Sequence, residues 1–221
     1  MIDATLLVIA KAPAAGRVKT RLCPPCTHSQ AAQIAEAALR DTLAAVAATP
    51  AKRRVMVLDG DPGEWLPPGF ELEAQRGEGL AQRLAAAFEA CSGPGFLIAM
   101  DTPQVTPALL TDALRRLTAG SADAVLGPTP DGGYWGIGLR RPAPEVFVGV
   151  PMSSPGTLAA QTARLADSGL CSQALATLED VDTIEDARRV AAAAPTTRFA
   201  TALRESGHAT DDQQPVPEAA A

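Results

Sequence analysis

The run Leu6-Leu-Val-Ile-Ala10 is apolar throughout and is broken soon after by Pro13 and Gly16. A short unbroken run bounded by turn residues predicts a strand buried on both faces. From Ser29 to Ala48 the period changes: Ile34, Leu39, Leu43 and Val46 fall near one face, which predicts an amphipathic helix ending before Pro50. Arg54 to Leu58 predicts a second strand, closed by Asp59-Gly-Asp-Pro-Gly63. Strand, helix and strand make a βαβ unit with a right-handed crossover, so the expected architecture is a Rossmann-like layered α/β sheet.

The alternation continues along the chain. It predicts a weak strand at Phe70–Gln75, a helix from Leu80 to about Cys91, and a buried strand at Phe96–Met100. A helix then opens at Thr106 and Pro107 and runs to about Leu117, followed by strands at Ala122–Gly127 and Tyr134–Leu139. Ser154 reads as the cap and Pro155 as the first residue of a further helix. Ala174–Leu178 predicts a last short strand, and a helix follows to about Ala193. From Ser206 the chain is polar, contains proline and ends in alanine, which predicts a disordered tail after a single domain over 1–205.

With 221 residues, 47% of them apolar and 20% charged, the chain is able to bury one sizeable core. The net charge of −6 is the wrong sign for gripping a nucleic-acid backbone, so any anion site has to be local. Asp3 stands where a signal peptide would carry basic residues, and the first apolar run is too short to span a membrane. A cytoplasmic protein is expected. Cys23-Pro-Pro-Cys26 has no second Cys-x-x-Cys to complete a zinc site, and reads as a local disulfide or an inert pair.

The candidate chemistry begins where the first strand ends. Lys11, Arg17, Lys19 and Arg21 are packed into eleven residues there, whereas basic residues elsewhere are dispersed. A charge run is often just a solvated face, but these cations leave the carboxyl end of a core strand, where open α/β sheets bind ligands. One glycine and no Gly-x-x-x-x-Gly-Lys spacing make this no P-loop, so side chains have to carry the phosphates. Gly77 and Gly79 form a second loop before a helix, with Arg83 one turn in. It reads as a backbone approach to a ligand or as an ordinary turn.

Asp101 ends a central strand, and Thr106 with Pro107 already caps the next helix, so Asp101 is spare for Mg²⁺ bridging to phosphate. Asp131, in Pro128-Thr-Pro-Asp-Gly-Gly133, reads as a hairpin turn or as a general base facing an acceptor, with Tyr134 and Trp135 offering apolar surface. Asp182 is a second metal ligand or half of a capping box with Glu185. The amides around Ser154 offer a further anion site.

In order, the chain contains Lys-Ala-Pro-Ala-Ala-Gly-Arg-Val-Lys-Thr-Arg-Leu, Gly-Glu-Gly-Leu-Ala-Gln-Arg, Met-Asp-Thr-Pro, Gly-Pro-Thr-Pro-Asp-Gly-Gly-Tyr and Asp-Val-Asp-Thr-Ile-Glu-Asp. This ordered set resembles the bacterial DUF2064 family of GT-A-type glycosyltransferase-like proteins, in the nucleotide-diphospho-sugar transferase superfamily. The basic loop and the Asp-x-Pro strand end also look like 2-phospholactate guanylyltransferases and molybdenum-cofactor nucleotidyltransferases.

The resemblance implies a three-layer α/β/α sandwich around a mostly parallel mixed sheet. It further implies a nucleotide over the first strand, Mg²⁺ or Mn²⁺ at Asp101, and a small-molecule acceptor pocket built by the second half. The expected function is a transferase taking a nucleotide sugar, or alternatively an NTP in nucleotidyl transfer, or a degenerate nucleotide-binding protein. The family commonly carries an aromatic residue where this chain has Pro151-Met152.

Overall fold

In the computed structural model, residues 1–210 are described. Seven strands form one sheet: β1 (Ile2–Lys11), β2 (Ala51–Asp59), β3 (Glu71–Ala74), β4 (Gly95–Ala99), β5 (Ala124–Pro128), β6 (Tyr134–Leu139) and β7 (Ser172–Ala174), in the order β3-β2-β1-β4-β6-β5-β7. Only β6 runs against its neighbours; the pairs β1–β2, β1–β4, β2–β3 and β5–β7 are parallel. The expected mostly parallel mixed sheet is therefore present.

Helices cover both faces, as the uninterrupted apolar run of β1 requires. Leu6, Val8 and Ala10 pack on one side with Leu39, Leu43 and Val46 of α1 (His28–Ala48) and Leu110 and Leu114 of α3 (Pro107–Thr118). Leu7 and Ile9 pack on the other with Leu84 and Phe88 of α2 (Leu80–Glu89) and Leu165 of α4 (Thr157–Asp167). Three layers follow from the two-residue alternation along a single strand. None of these helices is long and apolar enough to cross a membrane.

A third apolar cluster joins Leu22 of the basic loop to Ile34 and Ala38 of α1. It also takes in Val181, Val190 of α5 (Ile184–Ala193) and Phe199 and Leu203 of α6 (Arg198–Glu205). The helix α6 is absent from the sequence reading. It rests its apolar stripe on α1, capped by Thr197 and held by Asp41, which accepts from the Phe199 amide at 2.8 Å. Because Leu22 and Val181 share this cluster, the basic loop and the acidic segment around residue 180 are packed together.

Several boundaries differ from expectation. The last strand is Ser172–Ala174, not Ala174–Leu178; the later residues still follow β5, with the Leu175 amide donating to Leu126 and that of Leu178 to Pro128, but as irregular chain. Ser154 is not the cap of α4. Gly156 holds that position, and the Thr157 and Leu158 amides are engaged by the Ser154 and Gly132 carbonyls at 3.0 and 2.9 Å. The four cysteines are free thiols, so Cys23 and Cys26 form no disulfide. Of the tail expected from Ser206, residues 206–210 are described: the Ser206 carbonyl accepts from Gln30 and that of His208 from Arg188. Residues 211–221 lie outside the described residues.

Candidate functional site

The carboxyl ends of β1 and β4 open into a cleft of about 490 Å³ lined by Lys11, Arg17, Lys19, Arg21, Arg83, Asp101 and Asp182. Most of the charged residues singled out in the sequence thus meet in one place. Buried Val18 and Leu22 pin the basic loop, leaving Lys19 and Arg21 between them to face the cleft. Lys19 adopts the left-handed conformation (φ 46°, ψ 39°), a backbone state that costs a non-glycine residue about 1–2 kcal/mol. Its ammonium donates to Asp101 at 2.8 Å and to Asp182 at 3.1 Å. Burial works to lower the pKa of Lys19, but the two carboxylates outweigh it and hold the ammonium above the ordinary lysine value.

Asp182 reaches this point through a chain of backbone bonds. Leu178 is tied to β5, and the Val181 amide then donates to the Asp101 carbonyl at 3.0 Å. The capping box of α5 pairs Thr183 with Asp186, one residue later than the Asp182–Glu185 pairing expected. That shift frees the Asp182 side chain for Lys19 and for Arg21, 3.2 Å away. Thr106 caps α3 as expected, which leaves Asp101 for the cleft.

Sequence reasoning missed Asp180. One carboxylate oxygen from each of Asp101, Asp180 and Asp182 can be chosen so that all lie within 4.8 Å of one another, a spacing that suits a divalent ion with oxygen ligands. Asp180 and Asp182 flank buried Val181, and that two-residue spacing was the available signal. Burial first, then Asp101, Asp131 and Asp182, push the Asp180 carboxyl up to about 7. A pKa raised on folding means that the neutral carboxyl contributes stability below the ordinary value of 3.8, which is lost as pH rises through about 7. Thermal melts in EDTA should therefore show a midpoint that falls between pH 5 and pH 8, with a flatter profile in Asp180→Asn; superimposable profiles would contradict this.

On the opposite wall Arg83 forms an ion pair with Asp59 at 3.5 Å and donates to Gln75 at 3.1 Å and to the Gly77 carbonyl at 3.2 Å. Asp59 also lies 3.8 Å from Arg17. Gly77 and Gly79 do not line the cleft. Gly77 shapes it indirectly: at φ +118°, with a Cβ that would lie 2.6 Å from that of Gln82, it makes the turn that offers its carbonyl to Arg83.

Asp131 lines a second cleft of about 400 Å³, together with Tyr134, Ser153, Ser154 and Asp180. The two clefts share Arg21, Leu80, Ala99, Asp101 and Asp182 along their border. The hairpin reading of Asp131 holds: its Oδ1 accepts from Thr129 and from the Gly133 amide, closing the turn, and the residue is exposed at the cleft. Trp135 departs from expectation. It is 1% exposed, packs against Phe96 and donates to the Ala176 carbonyl, so it is a core residue with little surface to offer.

With this geometry in hand, the likeness to known proteins falls into place. A structure of a candidate nucleotide-diphospho-sugar transferase from Desulfovibrio desulfuricans G20 superposes with a TM-score of 0.83 at 26% identity, over 94% of this chain and 96% of that one. CMP-2-keto-3-deoxy-manno-octonic acid synthetase in complex with CTP shares the fold at 12% identity (TM-score 0.59, 87% and 98% covered). Rv0371c from Mycobacterium tuberculosis H37Rv, in complex with manganese, does so at 21% identity (TM-score 0.54, 86% and 97% covered). No curated protein matches the sequence. Residues 30–154 match the family model described as an uncharacterized protein conserved in bacteria, and the chain accordingly belongs to the DUF2064 family.

Proposed function

We propose that the protein is a transferase acting on a nucleotide-activated donor, with nucleotide-sugar-dependent glycosyl transfer as its reaction. The observation that carries this reading is the convergence of the cationic loop with Asp101 and Asp182 on one cleft, at its border with a second cleft that adds Asp180 and Asp131. The 26% likeness to the Desulfovibrio protein supports it. A cytoplasmic setting is part of the proposal.

Lys11, Arg17, Lys19, Arg21 and Arg83 would hold the donor phosphates, since fixed cations stabilise charge that grows on a leaving diphosphate. Asp101, Asp180 and Asp182 would hold Mg²⁺ or Mn²⁺, whose chemistry is to neutralise the diphosphate as a Lewis acid. Asp131, with one oxygen committed to the turn, keeps the other to take the proton from an acceptor hydroxyl. The acceptor is a small molecule in the cleft of Asp131 and Tyr134, and nucleic acid is not a partner.

Nucleotidyl transfer is the second reading, favoured by the density of cations where a pyrophosphate would leave. Phosphorus NMR separates the two. Sugar nucleotides incubated with the protein, acceptor mixtures and Mg²⁺ should release a nucleoside diphosphate; pyrophosphate from an NTP would establish nucleotidyl transfer instead.

A further inference from the structure

Lys19 is paired with two of the three aspartates that would hold a divalent ion. Its ammonium bridges Asp101 at 2.8 Å and Asp182 at 3.1 Å, and both carboxylates belong to the aspartate trio whose oxygens gather within 4.8 Å. An ammonium bonded to both carboxylates repels a divalent ion drawn in to the 2.0–2.1 Å from carboxylate oxygens that Mg²⁺ typically demands. The contact is sheltered, with the Lys19 side chain 12% exposed, whereas Arg21 beside it is 74% exposed and binds Asp182 at the rim.

The backbone beneath Lys19 is fixed by buried Val18 and Leu22 on either side, but its four-carbon stem is flexible and gives the ammonium reach. The same cleft carries Lys11, Arg17 and Arg83, which together attract an oligophosphate. Such a ligand offers the ammonium another anionic partner a short swing away.

We propose that Lys19 is a built-in counter-cation of the aspartate trio, which a divalent ion must displace and which phosphates draw away. Lys19 thereby couples the two ligands: phosphate binding opens the metal seat, and by linkage metal binding releases Lys19 to the phosphates. This inference rests on the metal site of the proposed function. It also assigns Lys19 opposite effects on the two ligands, which a plain phosphate-binding lysine would not have.

The test uses calorimetry on the full chain, with Mn²⁺ alone and, separately, inorganic pyrophosphate in EDTA. Lys19→Met should bind Mn²⁺ more tightly than the wild type by a factor in the usual coupling range, about 5- to 150-fold, and bind pyrophosphate more weakly. Lys19→Gln should show the same order, should the methionine variant fold poorly. Lys11→Met removes a cation from the same cleft, and should raise Mn²⁺ affinity much less. Mn²⁺ affinity unchanged or lower in both Lys19 variants would overturn the proposal, as would an equal rise in Lys11→Met. Absence of Mn²⁺ binding in wild type and variants alike would remove the metal site itself and this coupling with it, an outcome distinct from equal binding in all of them.

Discussion

Asp101→Asn is expected to lower divalent-dependent transfer by about 100- to 1,000-fold, the usual loss when a group that stabilises transition-state charge is removed. The fold should not suffer. Asp101 is one of three carboxylates whose charges burden Asp180, so neutralising it relieves that burden, while Lys19 keeps Asp182 at 3.1 Å as a partner. The backbone carbonyl of Asp101, which fixes Val181, is untouched by the substitution. The melting temperature should therefore stay level or rise while turnover collapses, a separation that marks a residue kept for function at the expense of stability. Parallel measurement of product formation and thermal melting checks this; unchanged turnover would place the metal elsewhere.

Gly132→Ala is expected to produce the second large effect, this time on stability. Gly132 has φ +90°, and a Cβ built there would lie 2.0 Å from the Pro155 carbonyl oxygen, a backbone atom with no freedom to turn aside. Overpacking and forced left-handed backbone each cost about 1–3 kcal/mol, so a loss of about 2–4 kcal/mol follows. The site is touched as well. The Gly132 carbonyl accepts from Leu158 at the start of α4, and the turn that holds Asp131 closes through Thr129 and Gly133. Urea denaturation should show the midpoint lowered; a change below about 0.5 kcal/mol, the level of an ordinary surface substitution, would show that the turn yields at little cost.

Asp101 also shows what the sequence revealed. Asp101 was legible because two local signals agreed: a buried apolar run led into it, and Thr106 with Pro107 already supplied the next cap. The basic loop was legible for the same reason, as a local charge cluster at the end of β1. The architecture followed from the apolar run of β1 and the period of α1, which dictate a sheet covered on both sides.

What stayed hidden depends on contacts between distant segments. Asp180 gains its importance from the Val181 amide bonding to Asp101, a link across the fold that no local pattern encodes. Asp182 and Glu185 had capping-box spacing, yet Thr183 and Asp186 won, since a hydroxyl cap one residue on was equally good and freed Asp182 for Lys19. The pair Gly77 and Gly79 read equally as a ligand loop or an ordinary turn because glycine permits close approach to anything; at Gly77 the close approach is to Gln82. Trp135 follows a turn and looked available, but β6 alternates it into the core.

Calorimetric titration of UDP, GDP, CDP and ADP, each with Mn²⁺ and with EDTA, tests the central claim most directly. The account predicts that at least one binds, more tightly with Mn²⁺, and that Asp101→Asn abolishes the Mn²⁺ dependence. Failure of all four to bind under either condition, or equal Mn²⁺-dependent binding by wild type and Asp101→Asn, would contradict it.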